Sequence, residues 1–177
     1  MVRSMSGEAG PLRPVALVIM GVAGTGKTTL AQALQAQLGW PYAEADDFHP
    51  AANIAKMSAG HPLNDEDRKP WLEALEKWMA EQLAARKSCL VTCSALKKKY
   101  RTVLQAAGNV HFLELDLDEA TLAERMQQRS HFMPVSLLRS QLETLESLGS
   151  DEPGIHLSSA ASVETLVQQS MEYLKSL

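Results

Sequence analysis

Short apolar runs alternate with longer amphipathic segments along the chain, and this alternation is the main structural signal in the sequence. Five runs are typical of β-strands, because each is rich in apolar residues and is bounded by residues that favour turns. The runs start at Val15, Pro41, Cys89, Val110 and Gly154. The pattern therefore predicts strands that alternate with helices.

Helical periodicity is clearest in WLEALEKWMAEQLAARK, residues 71–87. There Leu72, Leu75, Met79 and Leu83 recur every three or four residues, which places them on one face of a helix. Alternating strands and helices favour parallel pairing through right-handed crossovers, and continuously apolar strands indicate a sheet that is covered on both faces. We therefore predict an α/β fold with three layers.

Length and composition favour one compact domain. The chain has 177 residues, of which 45% are hydrophobic, and a chain of this size buries ~70% of its unfolded surface. We expect the domain to span residues 15–177, after an aperiodic tail at 1–14 that we expect to be disordered.

The net charge limits the partners of the protein. A formal net charge of −4 with interspersed signs argues against nucleic acid and anionic membranes as partners. An anionic ligand would therefore need a local cluster of cations.

The sequence also limits the location of the protein and the role of its cysteines. No run approaches the ~18 apolar residues of a membrane span, and the first residues lack the apolar centre of a signal peptide. We therefore expect a soluble, cytoplasmic protein. Cys89 and Cys93 lack CxxC spacing and a nearby Cys or His partner, which predicts buried thiols and argues against a metal site or a disulfide.

A phosphate-binding motif directly follows the first apolar run. GVAGTGKT matches G-x-x-x-x-G-K-[ST], in which backbone N–H groups and a helix N-terminus converge on phosphate oxygens. Lys27 is expected to reach the β- and γ-phosphates, and the Thr28 hydroxyl to bind Mg²⁺. The residues that we expect to hold ATP or a similar triphosphate are Gly21, Val22, Ala23, Gly24, Thr25, Gly26, Lys27, Thr28 and Thr29.

Acidic residues follow the second apolar run, at Glu44, Asp46 and Asp47. Open α/β sheets bind ligands at the carboxyl ends of their strands. We expect Glu44 and Asp46 on one face of the strand, with Asp46 accepting a proton from an attacking hydroxyl and Glu44 holding Mg²⁺ through water. The alternative is an acidic loop that caps the next helix, and for Asp47 both interpretations stay open.

Cations follow the predicted start of a helix in HPLNDEDRKPWL, residues 61–72. We expect this helix to begin near Asp67, with Asp67 as its cap and Pro70 at the third position. Arg68 and Lys69 would then lie in a first turn where the helix dipole disfavours cations by ~0.3–1 kcal/mol. An anionic ligand would offset this cost, and the guanidinium of Arg68 has the planar fork that holds a carboxylate.

The same arrangement recurs in CSALKKKYR, residues 93–101. Here Ser94 is the expected cap of a helix whose first turns carry Lys97, Lys98 and Lys99. A solvated lysine face is the alternative for Lys98 and Lys99. Two such helix starts in an acidic chain predict an acceptor with a hydroxyl and a negative charge, most simply a small hydroxy acid.

A mobile lid is predicted at about residues 122–140. Arg125 and Arg129 lie four residues apart and therefore on one helix face, which suits the charge of a phosphoryl group in transfer. The alternative is a surface helix held by ion pairs. His131 either contacts the ligand or ends the helix, and His49 is placed to hydrogen-bond a polyol.

Four blocks of the sequence resemble the thermoresistant-type gluconokinases. They are GVAGTGKTT, DDFHPAANIAKMSAGHPLNDEDRKPWL, CSALKKKYR and HFMPVSLLRSQLETLE, and the resemblance covers about residues 15–146. It implies ATP-dependent phosphorylation of D-gluconate to 6-phospho-D-gluconate. It also implies a homodimer and entry of the product into the pentose phosphate pathway.

The resemblance further implies a P-loop fold of the nucleoside-monophosphate-kinase and shikimate-kinase type. Its five-stranded parallel sheet would have the order 2-3-1-4-5, with substrate-binding helices at about 48–86. By matching position, Asp46 would be the base, Arg125 and Arg129 would belong to the lid, and five residues would face gluconate. These five are His49, Lys56, Arg68, Lys97 and His131.

The chain departs from the family pattern at two places. Ala45 stands where family members usually have glycine. The lid turn before His131 is one residue shorter than in most relatives, and this difference affects the direction in which Arg129 would point.

Two other functions are compatible with the sequence. One is a kinase of another small acid, such as shikimate, and the other is a regulatory module that hydrolyses ATP slowly.

Overall fold

The computed structural model describes residues 13–127 and 135–177. A single parallel sheet of five strands has the order β2-β3-β1-β4-β5, which confirms the predicted order. The strands are β1 (Ala16–Met20), β2 (Tyr42–Glu44), β3 (Cys89–Thr92), β4 (Val110–Asp116) and β5 (Gly154–Ser158). The predicted tail at 1–14 lies outside the described residues, except for its last two.

Helices connect the strands, as the alternation of the sequence predicts. They are α1 (Lys27–Leu38), α2 (Ala51–Ser58), α3 (Asp65–Ala84), α4 (Lys98–Gln105), α5 (Glu119–Gln127), α6 (Val135–Thr144) and α7 (Val163–Lys175), with a short 3₁₀ helix at Ala45–Phe48. Within the described ranges, none of these helices combines the length and the apolar character needed to span a bilayer.

Two apolar cores lie on opposite faces of the sheet. Side chains alternate along β1, so that Val18 packs with α3 and α4 on one face while Leu17 packs with α1 and α7 on the other. Every residue of β1 and β3 is buried. The three layers are therefore confirmed.

Cys89 and Cys93 are buried free thiols, and burial raises the pKa of each to about 12.

The carboxyl ends of four strands meet at one edge of the sheet. Met20 pairs with Glu114 and Glu44 pairs with Thr92, so the turn that follows β1 lies between β3 and β4. Gly21 begins this turn with φ +145°, and a Cβ on it would lie 2.8 Å from the backbone oxygen of Leu115. Only glycine fits here, and the chain therefore enters the phosphate-binding turn close against β4.

Helix α3 begins two residues before the predicted start. Its cap is Asn64, whose side chain accepts a hydrogen bond from the Asp67 backbone N–H at 2.8 Å, while the Asp67 carboxylate accepts one from the Asn64 N–H at 2.9 Å. This reciprocal capping box satisfies two N–H groups of the first turn. The prediction of Asp67 as the cap is wrong, and Pro70 lies at the sixth helical position.

The new start changes the electrostatic argument for Arg68. Asp65, Glu66 and Asp67 occupy the first turn of α3, where acidic groups complement the helix dipole. Arg68 and Lys69 lie in the following turn. The helix dipole therefore gives no reason to expect an anionic ligand near Arg68 and Lys69. The expectation of such a ligand rests on the surroundings of Arg68 alone.

Helix α4 also starts differently from the prediction. Lys97 is its N-cap residue, and Ser94 lies in the loop after β3. The Lys98 backbone N–H donates to Oε1 of Glu146 at 3.0 Å, and the Lys98 ammonium lies 2.5 Å from the Asp151 carboxylate. A carboxylate from another part of the chain therefore takes the capping role that the sequence suggested for Ser94.

A buried ion pair supports the loop between α6 and β5. Arg101 has a side chain that is 0% exposed, and it contacts Glu152 through two hydrogen bonds of 2.7 and 2.9 Å. A third bond of 2.7 Å joins it to the Ala95 backbone oxygen. Burial raises the pKa of Glu152, but its hydrogen bonds to Arg101 and to a backbone N–H outweigh this effect and lower the pKa.

We expect Glu152→Gln to destabilise the fold by ~3–5 kcal/mol, because it leaves the Arg101 charge buried without its partner. Urea unfolding of the two proteins measures the difference. Asp151→Asn is the matched control, since Asp151 carries an exposed ion pair with Lys98 and should change stability little. Equal stabilities of the two variants would contradict the prediction.

Candidate active site

A cleft at the carboxyl edge of the sheet joins the phosphate-binding turn to residues of β2, the 3₁₀ helix and α3. Ala23, Lys27 and Thr28 line one side of it, and Asp46 and Arg68 line the other. The two sides come from segments that sequence reasoning assigned to the nucleotide and to its acceptor. The structure therefore brings the two predicted half-sites together in one cleft.

The turn from Gly21 to Gly26 forms the floor of the cleft at the start of α1. Gly26 is the N-cap of α1 and has no side chain to cap it, so the first N–H groups of this helix are available to phosphate oxygens. Lys27 Nζ donates to the backbone oxygens of Gly21 at 2.9 Å and Val22 at 3.1 Å. Desolvation lowers the pKa of Lys27, while the charges of Asp46 and Glu44 oppose this shift.

Oxygen ligands suitable for Mg²⁺ lie beside this floor. The Thr28 hydroxyl donates to Oε2 of Glu44 at 2.8 Å, and the Tyr42 hydroxyl donates to the same oxygen. Burial and the bond to Glu44 raise the pKa of Tyr42 to about 12, so it remains a donor. Mg²⁺ prefers carboxylate and hydroxyl oxygens together with water and phosphate, and Thr28 and Glu44 fit such a site.

Glu44 and Asp46 do not share a strand face, contrary to the prediction. Strand β2 ends at Glu44, and the chain then turns into the 3₁₀ helix that contains Asp46. A hydrogen bond of 2.7 Å from Trp71 Nε1 to the Ala45 backbone oxygen holds this turn against α3. Both carboxylates still line the cleft, and Asp46 is 59% exposed.

His49 stands between Asp46 and Arg68. Its ring stacks on Trp71 at 4.2 Å with an angle of 16° between the planes, and its Nδ1 lies 3.2 Å from the amide nitrogen of Asn53. Because that nitrogen is a donor, Nδ1 is the acceptor and Nε2 carries the proton, at 4.0 Å from Oδ1 of Asp46. Burial and the charge of Arg68 lower the pKa of His49 to about 4, so the ring is neutral at pH 7.

Arg68 is a buried cation in the wall of the cleft, with 8% of its surface exposed. It donates to the Tyr100 hydroxyl at 2.9 Å, and that hydroxyl donates in turn to the Asp65 carboxylate. Lys97 and Lys99 also contact Asp65. Hydrogen bonds from Lys99 and Tyr100 hold the pKa of Asp65 well below its usual range. These residues fix the guanidinium in the wall of the cleft.

Two predicted substrate ligands lie outside the cleft that the described residues form. Lys56 Nζ is 2.6 Å from Oδ2 of Asp67, and Lys97 Nζ is 3.2 Å from Oδ1 of Asp65. Both lysines therefore anchor the first turn of α3 in this structure. Their role as gluconate ligands stays a prediction.

Arg125 of the predicted lid contacts the phosphate-binding turn. Its Nη1 donates to the Gly24 backbone oxygen at 3.1 Å and to the Ser159 hydroxyl at 3.2 Å. Ser159 also donates to the Thr25 backbone oxygen. Arg129 and His131 lie in residues 128–134, outside the described part of the chain, so their predicted roles are not tested.

Sequence reasoning missed two contributors to the site. Trp71 is buried in the apolar core, and it also lines the cleft through its contacts with His49 and Ala45. Gln141 received no role, although its Oε1 accepts a hydrogen bond from the Ala23 N–H. A signal for Gln141 exists, because this polar residue falls at helical spacing among the buried or partly buried Leu138, Leu142 and Leu145.

Comparisons with known proteins show the family to which the chain belongs. Residues 17–148 match the family model described as an AAA domain. A gluconokinase from Gluconobacter oxydans is 45% identical over 166 residues, which cover 93% of this chain and 93% of that protein. The chain belongs to the gluconokinase family.

Two solved structures support the assignment to the gluconokinase family. A sugar kinase from Janibacter sp. HTCC2649 has a TM-score of 0.88 and 46% identity, over 92% of this chain and 95% of that one. A gluconokinase from Sinorhizobium meliloti has a TM-score of 0.80 and 42% identity, over 92% of each chain. The resemblance to gluconokinases and the P-loop kinase fold that it implied are confirmed.

Proposed function

We propose that the protein transfers the γ-phosphoryl group of ATP to the 6-hydroxyl of D-gluconate, with 6-phospho-D-gluconate and ADP as products. The observation that carries this proposal is the buried guanidinium of Arg68 in the same cleft as Lys27 and Asp46. A fixed guanidinium suits the carboxylate of a sugar acid. The relatives named gluconokinases support the choice of gluconate.

The nucleotide side of the cleft would hold the triphosphate through residues 21–29. Lys27 would contact the terminal phosphate oxygens and offset the charge that develops during transfer. Thr28 would bind Mg²⁺ directly and Glu44 would bind it through water, and a bound Mg²⁺ neutralises phosphate charge. Arg125 already reaches this turn at Gly24, and with Arg129 it would stabilise the phosphoryl group from the lid side.

The acceptor side would position the reacting hydroxyl. Asp46 would accept or direct the proton of that hydroxyl while in-line transfer proceeds. The protonated Nε2 of His49 would donate to Asp46 or to a hydroxyl of the substrate. Arg68, oriented by Tyr100, would hold the carboxylate at the far end of the sugar acid. The predicted homodimer, cytoplasmic location and pathway stay predictions.

An assay of ADP formation with gluconate, shikimate and glucose as acceptors tests this function. We expect turnover that depends on gluconate and is at background level with glucose. Turnover with shikimate in its place would identify a kinase of another acid. ATP hydrolysis that does not respond to any acceptor would favour a regulatory nucleotide-binding module.

We expect Arg68→Ala to raise KM for gluconate and to lower kcat/KM by ~30- to ~5,000-fold, which corresponds to ~2–5 kcal/mol for a buried charge pair. KM for ATP should stay near its wild-type value, since Arg68 lies on the acceptor side. Lys69→Ala is the matched control, because Lys69 is the exposed neighbour on the same helix. An unchanged KM for gluconate would remove Arg68 from the substrate site.

A further inference from the structure

Asn53 is a buried polar residue at the third position of helix α2. It is 4% exposed. Its Nδ2 donates to the Asp67 backbone oxygen at 2.8 Å and lies 3.2 Å from Nδ1 of His49. A buried amide therefore joins the histidine on the acceptor side of the cleft to the start of α3.

The contact with Asp67 fixes the orientation of the Asn53 amide. A backbone oxygen only accepts hydrogen bonds, so the nitrogen of the amide, and not its oxygen, lies on this side. The same nitrogen carries a second N–H, which is donated to Nδ1 of His49. Nδ1 is therefore the unprotonated nitrogen, and the proton of a neutral ring lies on Nε2.

The ring of His49 is held in place by its neighbours. Its side chain is 3% exposed, and it stacks on Trp71, whose own Nε1 donates to the Ala45 backbone oxygen at 2.7 Å. Stacking fixes the plane of the ring but not which nitrogen carries the proton. The contact with Asn53 determines this, and Nε2 then lies 4.0 Å from Oδ1 of Asp46.

The charges around His49 make its tautomer matter. Burial and the charge of Arg68 lower the pKa of His49 to about 4, although the Asp46 carboxylate also lies near the ring. The ring is therefore neutral at pH 7, and a neutral imidazole has one donor and one acceptor. Which of the two faces Asp46 depends on Asn53.

We propose that Asn53 is a positioning residue, which holds His49 in the tautomer with the proton on Nε2 and so presents a hydrogen-bond donor to Asp46. This donor would keep the carboxylate in the orientation in which it accepts the proton of the attacking hydroxyl. Because Asn53 also binds the backbone oxygen of Asp67, directly before Arg68, it would fix the donor relative to the proposed carboxylate site. This inference rests on the proposed function, since it assumes that the acceptor hydroxyl reacts beside Asp46.

The tautomer of His49 can be measured without any substrate. Long-range ¹H–¹⁵N correlation spectra of protein labelled with ¹⁵N-histidine distinguish a protonated ring nitrogen from an unprotonated one, and His49→Ala identifies the His49 signals. We expect the wild type to carry the proton on Nε2 and to show no titration of His49 between about pH 6 and 9. Asn53→Asp replaces the donor with an acceptor, so Nδ1 should become protonated in this variant.

A double-mutant cycle measures whether Asn53 acts through His49. Asn53→Leu should lower kcat/KM for gluconate by ~10- to ~150-fold, as for the loss of a hydrogen bond to a charged group, while KM for ATP changes by less than about twofold. The same substitution in the His49→Ala background should have little further effect, because the ring that Asn53 orients is absent. Ser58→Ala is the control, since Ser58 is exposed on the same helix.

Three outcomes would overturn the inference. The first is a wild type with the proton on Nδ1, which is measured without any substitution and so does not depend on the folding of a variant. The second is an unprotonated Nδ1 in Asn53→Asp. The third is a loss in the double variant that equals the sum of the single losses in free energy, which would mean that Asn53 only joins α2 to α3. A wild type with the proton on Nε2 but without gluconate turnover would instead overturn the proposed function, and with it the catalytic part of this role.

Discussion

Asp46→Asn is expected to lower kcat by ~10²- to ~10⁴-fold, the range for loss of a general base. Asparagine keeps the size of the side chain but does not accept the proton of the attacking hydroxyl. The geometry favours this role, because Asp46 lines the cleft and Lys27 is close enough for its pKa to respond to the Asp46 charge. Steady-state kinetics at saturating gluconate and ATP measure the effect.

Asp47→Asn is the matched control for this experiment. Asp47 is the exposed neighbour of Asp46 in the same 3₁₀ helix, so the control makes the same change of charge one residue away. A near-normal kcat in Asp46→Asn would show that catalysis depends on positioning and charge stabilisation alone, as a loose transition state for phosphoryl transfer permits.

Lys27→Met is expected to lower kcat/KM by ~10³-fold or more, because it removes the cation that stabilises the transferring phosphoryl group. Methionine retains much of the apolar stem. The ammonium also donates hydrogen bonds to the backbone oxygens of Gly21 and Val22. Its loss should therefore weaken ATP binding as well as phosphoryl transfer. Kinetics together with titration of a fluorescent ATP analogue separate these two effects.

Lys77→Met is the control for the loss of a lysine charge. Lys77 is exposed on α3, and its replacement should leave kcat/KM close to the wild-type value. Activity of Lys27→Met within about tenfold of the wild type would contradict the role of Lys27, because a single electrostatic contact to a transition state is worth at least ~10²-fold.

The strand, turn and helix of the phosphate-binding motif could be predicted because the motif is local. A strand, a glycine-rich turn and a helix follow each other directly, and the spacing from Gly21 to Thr28 places every group without reference to the rest of the chain. The apolar runs likewise predicted the five strands, and the continuous pattern of the central strands β1, β3 and β4 follows from their burial on both faces. The resemblance to gluconokinases supplied the strand order.

The boundaries of α3 and β2 were predicted less well. The start of α3 was misplaced because Asn64 and Asp67 are both good caps, and their mutual hydrogen bonds select Asn64. The end of β2 was misplaced because a contact from Trp71 to Ala45 turns the chain there. Local propensity does not report the contact from Trp71 to Ala45, since these two residues lie on different elements of the fold. The capping box of Asn64 and Asp67 is local, and its spacing is visible in the sequence.

The charged residues show the same limit. The sequence revealed the cations of α2, α3 and α4, but their partners are set by packing. Lys56 pairs with Asp67 and Lys97 pairs with Asp65, so only Arg68 of these three cations lines the described cleft. The burial of Arg68 follows from the approach of α4, which a pattern within α3 does not encode.

Asp65 joins the first turns of two helices, through Lys97, Lys99 and the Tyr100 hydroxyl. Because Arg68 binds the same hydroxyl, the wall of the cleft that we propose to bind the carboxylate is held in place before any substrate arrives. The entropy of ordering this guanidinium is therefore lost during folding and not during each binding event. If Arg68 binds the carboxylate as proposed, the acid group therefore meets a guanidinium that is already held in place by Tyr100.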